Sequence, residues 1–365
     1  MTACGRQHLG VAHLAFATTA LIALPPGASD GAELALRQSK VKGLLVQQLA
    51  TGDHAGKASQ MNATAIPADG GAGFEISFNQ DVGKMMEGAL KEVVKFLRVR
   101  HDQWPAGYRV EIAFEDRYTA KDGPSAATAC ALLLDSLITG TAMDPAFAIT
   151  GDMNADGSVR PVGGVAAKVR GASVKDCRLV AIPADNAVAL TDLVIAEGIA
   201  PVTRIQVFTA EDFGQARSLA ATEKNGDLNT AISQFALVQK AVKRGNLRHP
   251  KVVEKLKEIV RLAPNHLSAK LLLGSATGRL PRNLSLAGSL DSVERSAATL
   301  IEAARTQRGG VRGVDKDELA AARGDLKRVR TKLDRRIWAY ADAIHDFGES
   351  IRDYQNAPPR GVPMT

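Results

Sequence analysis

A Gly-Pro step between two differently patterned runs constrains this chain most. Over residues 108–114 apolar and polar side chains alternate, the period of a half-buried strand. Over 126–137 the chain is rich in Ala and Leu and reads as a buried helix. Between them a loop at 115–123 ends in Gly123, Pro124 and Ser125. Proline lacks an N–H and suits the first turn of a helix, and glycine before it bends the backbone without a Cβ clash. Ser125 therefore opens a helix, where backbone N–H groups have no partner within the helix itself.

The same reading extends on both sides. Strand-like runs occupy 42–50, 58–66 and 73–79; in the last, Phe74, Ile76 and Phe78 alternate with polar residues. Residues 34–40 read as a linker and 67–71 as a turn. An amphipathic helix is expected at 81–101, with Val82, Met85, Met86, Leu90, Val93, Val94 and Leu97 on one face. After the serine helix come a strand at 146–150, a hairpin turn at 154–157, a helix at 165–173, strands at 179–182 and 205–208, and a closing helix at 211–220. The class is α+β with an antiparallel first part, occupying 40–220.

From Asn225 the chain is nearly all helix, with spans at 228–244, 250–262, 267–277, 291–307 and 315–354. An all-α helical domain is expected at 225–356, with a disordered tail at 357–365. Residues 260–274 resemble a junction between tetratricopeptide repeats. About three repeats are needed to bury a solenoid core, so a plain helical hairpin stays open.

At the N-terminus Arg6 precedes a 16-residue apolar run, Leu9 to Leu24, then Pro25-Pro26-Gly27-Ala28-Ser29. A spanning helix needs about 20 residues, so 1–29 reads as a cleaved export signal and the protein as periplasmic or secreted. An uncleaved membrane anchor is the alternative. The charge of +7 is uneven: 1–221 hold 20 basic and 23 acidic residues, 222–365 hold 26 and 16. Solvated helix faces account for the basic half. Aromatics at 4% argue against stacking surfaces, so nucleic acid is not an expected partner. The three cysteines form no C-x-x-C pair; Cys130 and Cys177 read as buried free thiols, with one disulfide as the alternative.

A serine hydroxyl is a weak nucleophile and needs a base. Outside the first 29 residues, the α+β half has only His54 and His101, neither beside an acidic motif. Lysine can serve when neutral, and burial lowers its pKa from about 10.4 by up to about 3–5 units. Lys168, 43 residues after Ser125, lies among Val165, Ala166, Ala167 and Val169, surroundings that permit the shift. Backbone donors at the Gly123–Ala126 turn can stabilise an oxyanion.

The segments Lys121-Asp122-Gly123-Pro124-Ser125-Ala126-Ala127 and Pro161-Val162-Gly163-Gly164 through Lys168 resemble the proteolytic domain of the Lon protease family, over about residues 41–219. The resemblance implies a ribosomal protein S5 domain 2-like fold, Ser125 as nucleophile, Lys168 as general base, and Thr150 bonded to the lysine. Gly123, Pro124 and Ala126 frame the oxyanion turn. Ala127 stands where the family has glycine, a methyl expected to narrow the site. The resemblance also implies a polypeptide substrate and no cofactor or metal, and it admits a homo-oligomeric ring.

Residues 52–57 imitate a phosphate loop, but three residues separate the glycines where four are needed, and no Ser or Thr follows Lys57. The Gly27–Gly31 match to G-x-S-x-G falls at the cleavage region. With no phosphate loop, an ATP-independent endopeptidase is expected. A non-catalytic scaffold of the same fold, binding a protein partner through its C-terminal helices, is the rival.

Overall fold

The strand alternation and the Gly-Pro junction are realised in a mixed sheet. The computed structural model describes residues 33–48, 54–68, 73–116, 122–174, 176–305 and 315–357. The export-signal reading, Lys121 and the tail beyond 357 lie outside these residues.

β1 (Gln38–Gln48) and β2 (His54–Pro67) form a long antiparallel pair. β3 (Phe74–Phe78), α1 (Lys84–Arg100) and β4 (Tyr108–Phe114) follow; β4 runs antiparallel to β2, whereas β3 joins β4 in parallel. A single 3-10 turn at Pro124–Ala126 leads into α2 (Ala127–Thr139). Next come β5 (Phe147–Ile149), a small hairpin of β6 (Asp152–Met153) and β7 (Val159–Arg160), and α3 (Val165–Ala172). β8 (Leu179–Pro183), α4 (Ala187–Glu197), α5 (Ala200–Arg204), β9 (Gln206–Ala210) and α6 (Phe213–Ala220) complete this part.

The sheet order is β3-β4-β2-β1-β5-β8-β9. β1 is the seam: it pairs antiparallel with β2 and parallel with β5, and β5, β8 and β9 continue in parallel. Every residue of β5 and β8 is buried, as parallel strands covered on both faces require. α2 is buried from Ala127 to Leu137 and packs against β1, β2, α1 and α6. Its buried Asp135 is met by Arg217 Nε at 2.7 Å and His101 Nε2 at 3.1 Å, which ties α2 to α6 and to the residue after α1.

Three expectations need correction. The 34–40 linker is half strand: β1 starts at Gln38, with Ser39 and Val41 pointing inward. A serine in an inward place hid the strand period. α4 and α5 fill 187–204, where no element was expected. α4 buries Leu190, Leu193 and Val194 while Val188 stays exposed, so apolar residues on both faces erased the helical period. Finally, 315–354 is not one helix but α11 (Lys316–Val329) and α12 (Trp338–Asn356), separated by two 3-10 turns. The break is held from outside, because the Leu333 carbonyl accepts from Asn283 Nδ2 and the Asp334 N–H donates to Ser289 Oγ.

The later helices fall into two groups. α7 (Gly226–Lys243), α8 (Pro250–Leu262) and α9 (Leu267–Thr277) share the core of the sheet. α8 and α9 form a helical hairpin that covers the outer edge of β9. Ser268 Oγ accepts from the Val207 N–H, and Thr209 N–H donates to the Asn265 carbonyl. Covering that edge satisfies strand groups that would otherwise recruit another chain. The change of character near 225 is thus one of secondary structure, and the core runs through it. α10 (Leu286–Arg305), α11 and α12 enclose a second core of Leu284, Val293, Leu326, Leu333, Ile337 and Ala341, against which Ile195 and Ala196 of α4 pack. Among the described residues no helix is long and apolar enough to cross a membrane.

Candidate active site

α3 approaches the sheet more closely than side chains would allow. A Cβ on Gly56 of β2 would fall 1.8 Å from the Ala167 carbonyl oxygen, and one on Gly171 would fall 2.0 Å from the Gly56 oxygen. Two missing side chains let the α3 backbone lie directly on β2. This contact sets the depth of Lys168, which is only 1% exposed.

Lys168 Nζ donates to Thr150 Oγ1 at 3.0 Å. Thr150 stands just past β5, and its N–H donates to the Ala181 carbonyl of β8. Its hydroxyl donates in turn to the Ser125 carbonyl at 3.1 Å, and the Gly151 N–H reaches the same oxygen at 3.0 Å. From the other side, Thr128 donates its N–H and its hydroxyl to the Gly151 carbonyl, each at 3.1 Å. The serine turn and the strand end are therefore latched reciprocally. One hydroxyl separates the lysine ammonium from the main chain of Ser125.

Among the described residues no carboxylate pairs with Lys168, and burial alone pushes its pKa down to about 8. A buried cation without a counter-charge gives up its proton more readily. The half-buried Ser125 hydroxyl has no hydrogen-bond partner among the described residues.

Gly123 has φ +138°, and a Cβ there would meet nothing within 4 Å. Backbone conformation, and not crowding, demands glycine at this turn. Pro124 begins the 3-10 turn, and Ala126, buried, is the residue before α2. The first N–H groups of such a helix start point along its axis beyond the N-terminal end, without partners in the helix, and can receive an oxyanion. Ala127 is buried in the main core, and its N–H bonds the Pro124 carbonyl.

The structure thus brings Ser125, Thr150 and Lys168 together, with Gly123, Pro124 and Ala126 framing the turn. Cys130 and Cys177 are buried and not joined by a disulfide, and burial pushes the Cys130 thiol up to about 12, far from a reactive thiolate. Gly56 and Gly171 escaped the sequence reading. Gly56 stood out only as part of the false phosphate loop, and nothing local marks a contact made 111 to 115 residues away.

Residues 33–216 match the family described as Lon protease (S16) C-terminal proteolytic domain. Lon protease 1 of Thermus thermophilus is 29% identical over 153 residues, covering 40% of this chain and 19% of its own. The archaeal Lon protease of Methanothermobacter thermautotrophicus is 28% identical over 158 residues, covering 43% of this chain and 23% of its own. Lon protease of Clostridium beijerinckii reaches 42% identity over 92 residues, 25% of this chain and 11% of its own. The chain therefore spans less than a quarter of the length of these relatives.

Proposed function

The chain belongs to the Lon protease (S16) C-terminal proteolytic domain family, and on that footing we propose that it is a serine endopeptidase with Ser125 as nucleophile and Lys168 as general base. The observation that carries this reading is the buried lysine: it has no counter-charge among the described residues, a lowered pKa, and a single hydroxyl between it and the Ser125 carbonyl. A purely structural lysine so placed would cost stability and return nothing.

In the reaction, neutral Nζ takes the Ser125 Oγ proton as Oγ bonds the peptide carbonyl carbon. The carbonyl π electrons move onto oxygen, which faces the N–H groups of the Gly123–Ala126 turn. The ammonium of Lys168 then protonates the departing amine nitrogen, and the C–N bond breaks to leave an ester on Ser125. Water, losing a proton to Lys168, attacks that ester, and the acid product leaves as Oγ regains a proton. Thr150 orients the base. Its own proton is committed to the Ser125 carbonyl, so its oxygen faces Nζ and leaves the amine lone pair free.

The substrate is a flexible or unfolded polypeptide, since a chain must be locally extended to reach Ser125 and global opening costs about 5–15 kcal/mol. ATP is not required; this rests on the lack of a phosphate loop in the sequence. Export after loss of residues 1–29 is part of the proposal, and N-terminal sequencing of protein from cell fractions tests it. The enzymatic reading is tested by incubating an unfolded protein with wild type and Ser125→Ala, with and without ATP. Cleavage by wild type alone, unaffected by ATP, is expected. Equal cleavage by Ser125→Ala overturns the nucleophile, and cleavage only with ATP overturns the energy-independent part.

A further inference from the structure

A groove of about 680 Å³ opens on the outer side of the helix that carries Lys168. Gly163, Gly164 and Ala166 line it at the start of α3, Leu193 and Ala196 from α4, and Ala287 and Ser292 from α10. The matched family ends at residue 216, so α10 is a wall that this chain adds. We propose that this groove is a substrate subsite, holding an extended apolar stretch of the polypeptide whose scissile bond lies at Ser125. The proposal rests on the endopeptidase reading and adds the region that selects the substrate.

The groove is built in advance. Asp192 of α4 accepts from the Ser285 N–H at 2.7 Å and the Ser285 hydroxyl at 2.6 Å, which fixes the start of α10. Lys332 Nζ donates to the Ile195 carbonyl at 2.8 Å and the Ala196 carbonyl at 3.3 Å, near the C-terminal end of α4. With α4 held at its middle and its C-terminal end, a ligand need not order these walls, which removes part of the cost of binding.

Three observations favour an extended polypeptide. The lining is mostly small and apolar, and the charged residues at its edge include both signs, with Arg170 paired to Glu197 and Arg295 to Asp291. Such an edge does not select an anionic lipid surface, which attracts runs of one sign. The volume suits a few side chains of an extended chain. The groove also shares a helix with the base: Val165, Ala166 and Ala167, which line it, immediately precede Lys168 in α3.

The test uses Ala287→Trp, which fills the groove from α10, and Glu294→Trp, an exposed α10 position outside it. Two quenched-fluorescent peptides share one cleavage sequence; the long one adds flanks rich in Leu, Val and Ala. Ala287→Trp is expected to lower the ratio of kcat/KM, long over short, by about tenfold, and Glu294→Trp to leave the ratio as in wild type. An unchanged ratio in Ala287→Trp overturns the subsite, as does an equal fall in Glu294→Trp. A parallel measurement follows binding of the labelled long peptide to Ser125→Ala by anisotropy, without turnover. If wild type cleaves neither peptide, the endopeptidase reading fails by itself. Binding to Ser125→Ala that Ala287→Trp weakens then still supports the groove, and binding that it leaves unchanged rejects it. A wild-type dimer that Ala287→Trp dissociates in sedimentation assigns the groove to a second copy and overturns the proposal.

Discussion

Lys168 and His266 are both buried bases whose surroundings favour the neutral form, yet only one has a lone pair left to use. His266 N-caps α9: its Nδ1 accepts the Ala269 N–H at 3.3 Å and its Nε2 meets Gln206 Oε1 at 3.2 Å. The ring lies between Phe208 and Phe235, with centroids 4.2 and 4.5 Å away, and burial pushes its pKa down to about 3. Both nitrogens are spent on joining α9 to β9. Among the described residues Lys168 has one hydrogen-bond partner, Thr150, and its neutral amine keeps an unshared pair beside a serine turn. Burial alone does not mark a catalytic base; unspent bonding capacity is what separates the proposed base from His266.

The sharpest way to break the comparison is to remove the two groups on the catalytic side. Ser125→Ala and Lys168→Met are each expected to lower peptide hydrolysis by about 10³-fold or more, measured with a quenched peptide. A rate within tenfold of wild type in either variant removes that residue from the chemistry.

The next largest effect concerns stability. Unfolded Lys168 holds its proton up to about 10.5, whereas the folded protein holds it only below about 8. The unfolded state therefore binds more protons between these values, and the lysine's penalty is largest below pH 8 and fades as pH rises to 10.5. Lys168→Met is expected to be more stable than wild type by about 3 kcal/mol at neutral pH, with the gain shrinking in alkaline buffer, by urea denaturation. A less stable Lys168→Met variant would show that the lysine supports the fold.

His266→Ala sharpens the other side. It should cost about 2–3 kcal/mol through a lost cap and a cavity between two phenylalanine rings, while activity per folded molecule stays within about twofold. Unfolded histidine protonates below about 6.5 and the folded one only near 3, so wild-type stability falls as pH drops through that window. His266→Gln should lose this acid slope; an unchanged slope would move its origin elsewhere.

Thr150→Val is the mildest change. It deletes the hydroxyl that orients Nζ, but the Ser125 carbonyl keeps the Gly151 N–H. A fall in kcat of about tenfold is expected, less than for loss of the lysine. A loss as large as that of Lys168→Met would make Thr150 more than a positioning residue.

The same contrast explains what could be read beforehand. The turn at Ser125 was legible because Gly123 and Pro124 state it locally, and the burial of Lys168 because an apolar stretch surrounds it. The junction at His266 was not, since Asn265, His266 and Ser268 are isolated polar residues in an apolar run, and their partners lie on β9 about 60 positions earlier. The parallel placement of β3 beside β4 and the Gly56–Gly171 contact are likewise tertiary choices without a local signature. α4 was lost to apolar residues on both its faces, although it supplies one side of the groove and anchors α10.

The central claim is that Ser125 is activated by a neutral Lys168. It is tested most directly by the rate at which a fluorophosphonate probe labels the protein across pH, with the adduct located by mass spectrometry. The account predicts an adduct on Ser125, a rate that rises with pH through a midpoint near the lysine's depressed value of about 8, and no labelling of Lys168→Met. A rate flat with pH, or unchanged in Lys168→Met, contradicts it.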